Sequence, residues 1–324
     1  MSHSIGIINC LIIVVLFLLS ACTSQPKVAN TATSDFYSDM VQWSLQRGTG
    51  LSSEFPAGDV RSSYILRDSK DTANNSPIVL VLGGSEGGTL KSRTLAKAII
   101  ANGYSVASIA YHQAPGTPPY VKEIPIESIV KRIKDVSTDD KGNQRCVAIL
   151  GVSKGAELAL LIAAYTDFAD ATIAVVPSSV VWQSNQITLA RNSSWRVNDE
   201  PLPFVEYPWF SRGMFAYLTK GPIEARALHE AGIENTKILE QASIPVERIS
   251  KPVLLQGAKL DSVWQSHEMS QDIMERVNNK NPDHQFTLLS YELDHFLTLY
   301  EEPVDDALKF ITETFDRNPR CKGN

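Results

Sequence analysis

The segment CVAILGVSKGAELALLIAAY, residues 146–165, runs from a short apolar stretch into an apolar helical pattern through Gly151-Val152-Ser153-Lys154-Gly155. This pentapeptide matches G-x-S-x-G, which chance supplies often, but a buried strand before it and a helix after it make the match informative. In that setting a tight turn strains the serine and exposes its hydroxyl, and glycines avoid collisions across the turn. We therefore predict that Ser153 is a nucleophile; the alternative is a serine that only caps the helix.

Short apolar runs alternate with helical patterns along most of the chain. The predicted strands are 59–67, 78–84, 104–111, 146–152, 171–178, 252–258 and 286–292. The predicted helices are 90–102, 126–136, 154–165, 263–277 and 304–317. This alternation predicts an α/β fold, with a mostly parallel central sheet and helices on both of its faces.

One long stretch, residues 178–248, interrupts the alternation. It contains Trp182, Trp195 and Trp209 and the proline-rich segment 201–208. A connection of about 70 residues in a compact domain is usually a functional lid or a disordered segment, and three tryptophans argue against disorder. We predict a lid or substrate wall; the alternative is simple packing against the edge of the sheet.

A serine nucleophile requires a base, and the base requires an acid that orients it. With a strand–serine–helix arrangement the chain order is serine, acid, histidine. His295 follows the last predicted strand in the loop ELDHF and is the preferred base, whereas His267 lies in a predicted helix and His284 in a polar turn. His112 and His229 do not fit the order and are interpreted as solvent or core histidines.

The preferred acid is Asp261, which follows the strand 252–258 in the loop AKLDSVW and is expected at the same sheet edge as Ser153. Asp294 is the second choice because it adjoins His295 and would point away from the ring. For the oxyanion hole we predict the backbone N–H of Lys154 and a donor from Gly84 or Ser85 in the glycine-rich loop 83–88. The alternative for that loop is a flexible turn.

Composition excludes several classes of function. The 324 residues include 36 acidic and 30 basic side chains, a net charge of −6, so nothing favours nucleic-acid binding. No CxxC pair or HExxH motif indicates a metal site, and the loop 83–88 matches neither nucleotide-binding glycine pattern. We therefore expect no cofactor and no metal.

The N-terminus resembles an export signal. Residues 5–19 are apolar over about 15 positions, too few for a typical transmembrane helix, and Leu19-Ser20-Ala21-Cys22 resembles a bacterial lipobox. The alternatives are an uncleaved anchor or a plain signal peptide, and the absence of Lys and Arg from the leader is atypical. We predict a leader at 1–21, a lipidated tether with a short helix at 22–45, and one catalytic domain at 46–320.

Lipidation at Cys22 predicts a lipid-anchored protein of the cell envelope. Thr23 after the cysteine indicates a periplasm-facing site on the outer membrane if the source is Gram-negative. Cys10 would leave with the leader, so Cys146 and Cys321 remain and could form a disulfide in an exported protein. Two unrelated thiols are the alternative.

These segments together resemble the C-terminal catalytic domain of the acyl-CoA thioesterase / bile-acid-CoA:amino-acid N-acyltransferase family. The likeness lies in ILGVSKGAELAL (149–160), SSWRVNDEPLP (193–203), IPVERISKPVLLQGAKLDSVWQS (244–266) and LSYELDHFL (289–297). It implies an α/β-hydrolase fold in which Ser153 is the nucleophile, Asp261 the acid and His295 the base.

The resemblance further implies a substrate that is an acyl thioester or ester. Serine, rather than the cysteine of the N-acyltransferase members, favours water as the acyl acceptor. The animal members carry a preceding β-sandwich domain of about a hundred residues, whereas here we expect a signal, a tether and a few dozen residues in that place. The expected function is acyl thioester or ester hydrolysis; the alternatives are acyl transfer to an amine or alcohol, and a non-catalytic binding module.

Overall fold

The computed structural model describes residues 63–66, 76–89, 95–114, 116–139, 141–186, 190–221, 225–234 and 236–322. The predicted leader, the lipidation site at Cys22, the tether and its short helix lie outside these residues. Within the described ranges, no helix combines the length and the apolar character needed to cross a membrane.

Strands and helices alternate as the sequence predicts. The strands are β1 Ser63–Leu66, β2 Ile78–Leu82, β3 Ser105–Ile109, β4 Ile124–Pro125, β5 Val147–Val152, β6 Ala171–Val175, β7 Trp195–Val197, β8 Glu200–Pro201, β9 Val253–Ala258 and β10 Phe286–Tyr291. The helices are α1 Ala96–Ala101, α2 Ile126–Val136, α3 Lys154–Tyr165, α4 Arg212–Lys220, α5 Arg226–Ile233, α6 Thr236–Ala242, α7 Ser266–Lys280 and α8 Glu301–Arg317.

Seven strands form the central sheet in the order β1-β3-β2-β5-β6-β9-β10. Strand β1 pairs antiparallel with β3, and the remaining six strands pair in parallel. Parallel strands direct their carboxyl ends to one edge, so the loops after β2, β5, β6, β9 and β10 share that edge. The predicted mostly parallel sheet is confirmed.

Helices cover both faces of the sheet, as the prediction requires. Alternate residues of β2 face opposite sides: Ile78 and Leu80 pack in the cluster that contains α2, α3 and α7, while Val79 and Val81 pack in the cluster with α1 and α8. Helix α3 is buried from Lys154 to Ala164. A helix buried all round has no need of an amphipathic pattern, which explains why α3 is apolar on all sides apart from Lys154 and Glu157.

The long stretch after β6 contains β7, β8 and α4 to α6. Strands β7 and β8 join β4 in a small three-stranded sheet that the sequence did not predict, because strands of two or three residues are too short to show a period. Trp182 and Trp195 are fully buried. Trp182 belongs to a third apolar cluster with Val205, Leu228 and Trp264, which joins the stretch to the loop after β9.

A disulfide links Cys146, directly before β5, to Cys321 near the C-terminus, with Cα atoms 5.1 Å apart across 175 positions of sequence. Next to it the buried Asp170 carboxylate accepts hydrogen bonds from the Val147 N–H at 2.9 Å and the Asn318 side chain at 3.0 Å. The structure thus contains the pairing that the sequence left open, and it attaches the chain end to the strand that carries Ser153.

Candidate active site

Ser153 lies on the turn between β5 and α3 with φ 56° and ψ −117°, a backbone conformation that non-glycine residues rarely adopt. Its N–H donates to Val175 O at 2.9 Å. A Cβ on Gly151 would lie 2.1 Å from the Gly155 carbonyl oxygen, and a Cβ on Gly155 would lie 2.2 Å from Leu82 O. Both glycines are therefore required for the turn to close against β2.

Ser153, His295 and Asp261 form one chain of hydrogen bonds. His295 Nε2 lies 2.9 Å from Ser153 Oγ, and His295 Nδ1 lies 2.9 Å from each carboxylate oxygen of Asp261. The three side chains come from the loops after β5, β9 and β10, which meet at the carboxyl edge of the sheet. The Ser153 side chain makes no capping bond to α3, so the capping alternative does not describe it.

Asp261 is almost completely buried and is held by more than His295. It accepts hydrogen bonds from Ser266 Oγ at 2.5 Å and from the backbone N–H groups of Val263 at 2.9 Å and Trp264 at 3.1 Å. Burial raises the pKa of the Asp261 carboxyl, but the bonds and charge interaction with His295 outweigh burial and leave this pKa below its ordinary value. An ionised Asp261 requires the hydrogen on Nδ1 of His295, which leaves Nε2 free to accept the serine proton.

The second-choice acid Asp294 and the two histidines that were not preferred, His267 and His284, have other partners. His267 Nδ1 lies 3.1 Å from Ser290 Oγ, and His284 bonds a side chain of α7 at 2.7 Å. Asp294 accepts the N–H of Phe296 at 3.0 Å within its own turn. The order rule and the loop positions were therefore sufficient to separate these residues from the three that meet.

The glycine-rich loop after β2 lies directly against the serine. A Cβ on Gly84 would be 3.2 Å from Ser153 Cβ, so a side chain at this position would require its neighbours to shift. Tyr111 Oη donates to Gly83 O at 2.6 Å and fixes the start of the loop. Gly83 and Ser85 line the same cavity as Ser153.

The predicted oxyanion donors differ in their availability. The Lys154 N–H is at the first position of α3, where an N–H has no acceptor within the helix. The Gly84 N–H, by contrast, donates to Glu86 Oε1 at 3.2 Å. The Gly84 N–H is thus engaged within its loop, whereas Ser85, the other residue predicted to supply the second donor, lines the cavity.

A cavity of about 500 Å³ opens above the serine. Ser153, Lys154 and His295 line it, and the stretch between β6 and β9 supplies a wall made of Tyr207, Tyr217, Ala225, Leu228 and His229. Most of the lining is aliphatic or aromatic, which suits an apolar ligand. The long connection thus forms part of the cavity wall, although Trp182 and Trp195 serve in packing behind it.

His229 is a cavity residue that sequence order excluded. Its Nδ1 lies 3.0 Å from Ala225 O, and its ring is T-shaped against Trp264, which is in turn T-shaped against His295. Burial lowers the pKa of His229 to about 4, so the ring is neutral at physiological pH. The interpretation as a core histidine describes its burial but missed its position, and no sequence signal placed it at the cavity.

A buried ion pair beside the serine was also missed. Lys154 Nζ lies 2.8 Å from Glu157 Oε2, and Glu157 Oε1 also accepts the Trp195 indole N–H at 2.7 Å and the Trp182 backbone N–H at 3.2 Å. Burial lowers the pKa of Lys154 and raises that of Glu157. The signal was present in the sequence: Lys and Glu three residues apart in an otherwise apolar helix.

Metal-ligand spacing occurs in one group of the described side chains, Cys146, Asp170 and Cys321. The disulfide uses both sulfur atoms, so this group does not offer three ligands.

Solved structures resemble this chain in fold. An esterase of Pyrococcus furiosus is 16% identical with a TM-score of 0.51, covering 82% of this chain and 95% of its own. An acylaminoacyl peptidase is 11% identical with a TM-score of 0.51, covering 81% of this chain and 40% of its own. A 2,6-dihydroxy-pseudo-oxynicotine hydrolase is 16% identical with a TM-score of 0.50, covering 78% and 64%. The α/β-hydrolase fold expected from the sequence is confirmed.

No curated protein sequence matches the chain. Residues 131–300, more than half of the chain, match the family model described as BAAT / Acyl-CoA thioester hydrolase C terminal. The matched range includes Ser153, Asp261 and His295, and it lies within the region in which the sequence resembles this family. The chain therefore belongs to the BAAT / acyl-CoA thioester hydrolase C-terminal family.

Proposed function

We propose that the protein hydrolyses acyl thioesters or esters through an acyl-serine intermediate. The observation that carries the proposal is the continuous chain of hydrogen bonds from Ser153 Oγ through His295 to Asp261 at the floor of an apolar cavity. Membership of a family of acyl-CoA thioester hydrolases supports the same reaction class.

In the first step Ser153 Oγ attacks the acyl carbonyl while His295 Nε2 accepts the hydroxyl proton. The buried Asp261 carboxylate stabilises the resulting imidazolium. Backbone N–H groups of Lys154 and Ser85 hold the oxyanion, and the loss of one such donor typically costs about 3 kcal/mol of transition-state stabilisation. His295 then gives its proton to the departing thiolate or alkoxide.

The second step repeats the chemistry with water. The water oxygen attacks the acyl carbon while His295 Nε2 takes a proton from the water. His295 then gives this proton to Ser153 Oγ as the carboxylic acid leaves. The aromatic and aliphatic wall formed by Tyr207, Tyr217 and Leu228 is suited to an acyl chain. We propose an acyl-CoA-like thioester or an ester of similar shape as substrate.

The test is labelling with a fluorophosphonate probe, which reacts with activated serines. Wild-type protein should be labelled, whereas Ser153→Ala and His295→Ala should not be. Ser290→Ala is the matched control, because Ser290 is an exposed serine bonded to the non-catalytic His267. Labelling that persists in Ser153→Ala would disprove the mechanism. Hydrolysis of acyl-CoA and nitrophenyl esters of increasing chain length then ranks the substrates.

We further propose that the enzyme is lipid-anchored in the cell envelope through Cys22. The lipobox-like sequence 19–22 supports this location, and so does the Cys146–Cys321 disulfide, since disulfides persist in oxidising compartments. Metabolic labelling with a radioactive fatty acid should mark the wild-type protein and leave Cys22→Ala unmarked. Equal labelling of both would reject the anchor.

A further inference from the structure

We propose that the rim of the active-site cavity docks onto a phospholipid surface. The starting observation concerns the large apolar side chains that the described residues expose: Tyr120, Tyr165, Phe210, Phe215, Leu218, Leu260 and Leu299. Tyr120 lines the cavity, and five of the other six lie within three residues of a lining residue along the chain. Apolar side chains scattered singly over a surface need no explanation, but a set gathered around one opening indicates an interaction site.

The first group belongs to the wall that follows β6. Phe210, Phe215 and Leu218 are 107%, 72% and 65% exposed. Phe215 and Leu218 flank Tyr217 on α4, and Tyr217 lines the cavity. Phe210 is three residues from Tyr207, another lining residue, which limits their Cα separation to about 11 Å.

The second group comes from other loops at the same edge of the sheet. Tyr120 itself lines the cavity, Leu299 follows the lining residue Thr298, and Leu260 lies three residues before Val263. These side chains follow β3, β10 and β9, whose carboxyl ends share the edge that carries Ser153. The exposed apolar residues thus come from several separate segments, each of which also contributes a residue to the lining of the same cavity.

The seventh residue shows that this placement is specific. Tyr165 ends α3, whereas Ser153 precedes the start of the same helix. A 12-residue helix spans about 18 Å, so Tyr165 lies at the opposite end of the domain from the cavity mouth. Its ring packs beneath Arg248, 5.7 Å from ring centre to guanidinium carbon. Tyr165 therefore provides a matched exposed aromatic outside the rim.

Helix α4 has the construction of an interfacial helix. Gly213 and Met214 are buried against the domain, Phe215 and Leu218 face outward, and the cations Arg212 and Lys220 stand at its two ends. Helices that lie in a membrane interface combine an apolar face with flanking basic residues that approach the phosphates. This charge arrangement favours a surface that contains anionic phospholipid.

Two further points favour a lipid surface: the path that an apolar ligand would take into the cavity, and the lipidation site predicted near the N-terminus. An apolar ligand that passes from a bilayer through an apolar rim into an apolar cavity avoids exposure to water. The predicted lipidation site at Cys22 precedes Ser63 by about 40 residues, which at full extension exceed 100 Å. An anchor at that distance allows the cavity mouth to turn toward the membrane.

Contact with lipid is tested directly by quenching of tryptophan with brominated phospholipids, using the full chain and vesicles of phosphatidylethanolamine and phosphatidylglycerol. Phe215→Trp should add fluorescence that the brominated acyl chains quench, and Tyr165→Trp should add fluorescence that they do not. Equal quenching at the two positions, or none at position 215, overturns the proposal. This readout needs no activity, so it fails or succeeds independently of the proposed hydrolysis.

Turnover provides the second measurement. In Phe215→Ser/Leu218→Ser, hydrolysis of a long-chain ester presented in vesicles should fall at least tenfold, while a short water-soluble ester is cleaved at the wild-type rate. Tyr165→Ser should change neither rate. A double variant that retains wild-type activity on vesicles contradicts docking through α4.

Discussion

Replacing Glu157 with alanine tests the most unusual electrostatic feature of the site. The side chain is fully buried and satisfies three buried donors: the Lys154 ammonium, the Trp195 indole N–H and the Trp182 backbone N–H. Alanine removes all three acceptor contacts and leaves Lys154 without its partner. We therefore expect Glu157→Ala to be far more costly than loss of an exposed pair.

The magnitude follows from the burial of both partners. Removing one member of a buried ion pair typically costs 3–5 kcal/mol, so we expect a loss of about 4 kcal/mol in the free energy of unfolding. In a domain of 150–250 residues that would correspond to roughly 8–16 °C in Tm, and the shift is smaller for a longer chain such as this one. Glu313→Ala removes the exposed Arg317–Glu313 pair of α8 and should cost no more than about 0.5 kcal/mol.

The assay is equilibrium unfolding in urea followed by tryptophan fluorescence, which Trp182 and Trp195 make sensitive to this region. The double variant Lys154→Met/Glu157→Gln removes both charges, keeps an amide oxygen for the indole, and should recover most of the stability. The reasoning is refuted if Glu157→Ala costs less than about 1 kcal/mol, or if the double variant is as unstable as the two single variants combined.

Gly155→Ala should prevent folding or fluorophosphonate labelling, because the Cβ of the alanine would lie 2.2 Å from Leu82 O. A soluble variant that is labelled as fully as the wild type would contradict this turn geometry. Asp261→Asn should lower kcat by roughly 10³- to 10⁴-fold with little change in Tm, measured with a soluble ester; a loss below tenfold would contradict its role. Burial lowers the pKa of His229 in the folded protein to about 4, so the neutral ring contributes fully to stability above the unfolded pKa of about 6.5. As the pH falls from 6.5 to 4, the free energy of unfolding should decrease by about 3 kcal/mol because the unfolded state takes up the proton more readily. In His229→Leu the free energy of unfolding should depend less on pH over this range. Cys321→Ser should lower the unfolding free energy by about 2–5 kcal/mol, and an unchanged urea midpoint would contradict the disulfide.

Much of the fold was predictable because its elements have strong local signals. The helices at 126–136 and 154–165 were predicted to the residue, and the buried strands were placed within a few positions. Long periodic helices and uniformly apolar central strands are the patterns that sequence alone reads best. Strands β4, β7 and β8 were missed, since their pairing depends on distant segments.

The candidate site was predictable where topology decides and unpredictable where packing decides. Ser153, Asp261 and His295 each follow a parallel strand, and the order of strands in the chain determines which loops can meet. His229 reaches the cavity only because α5 packs under Trp264. This contact joins two segments that are distant in the sequence, so no local sequence pattern predicts it. The Glu86 contact with the Gly84 N–H likewise depends on one rotamer of an exposed side chain.

The Cys146–Cys321 disulfide encloses Ser153, Asp261, His295 and the whole substrate wall in one covalent ring. A single cut by a protease anywhere within that ring opens the chain without releasing a fragment. The nicked molecule keeps its mass apart from one added water, and it separates into two pieces only when the disulfide is reduced. Comparison of reduced and non-reduced gels after limited digestion therefore maps which surface loops can be cut while the catalytic residues stay on one molecule.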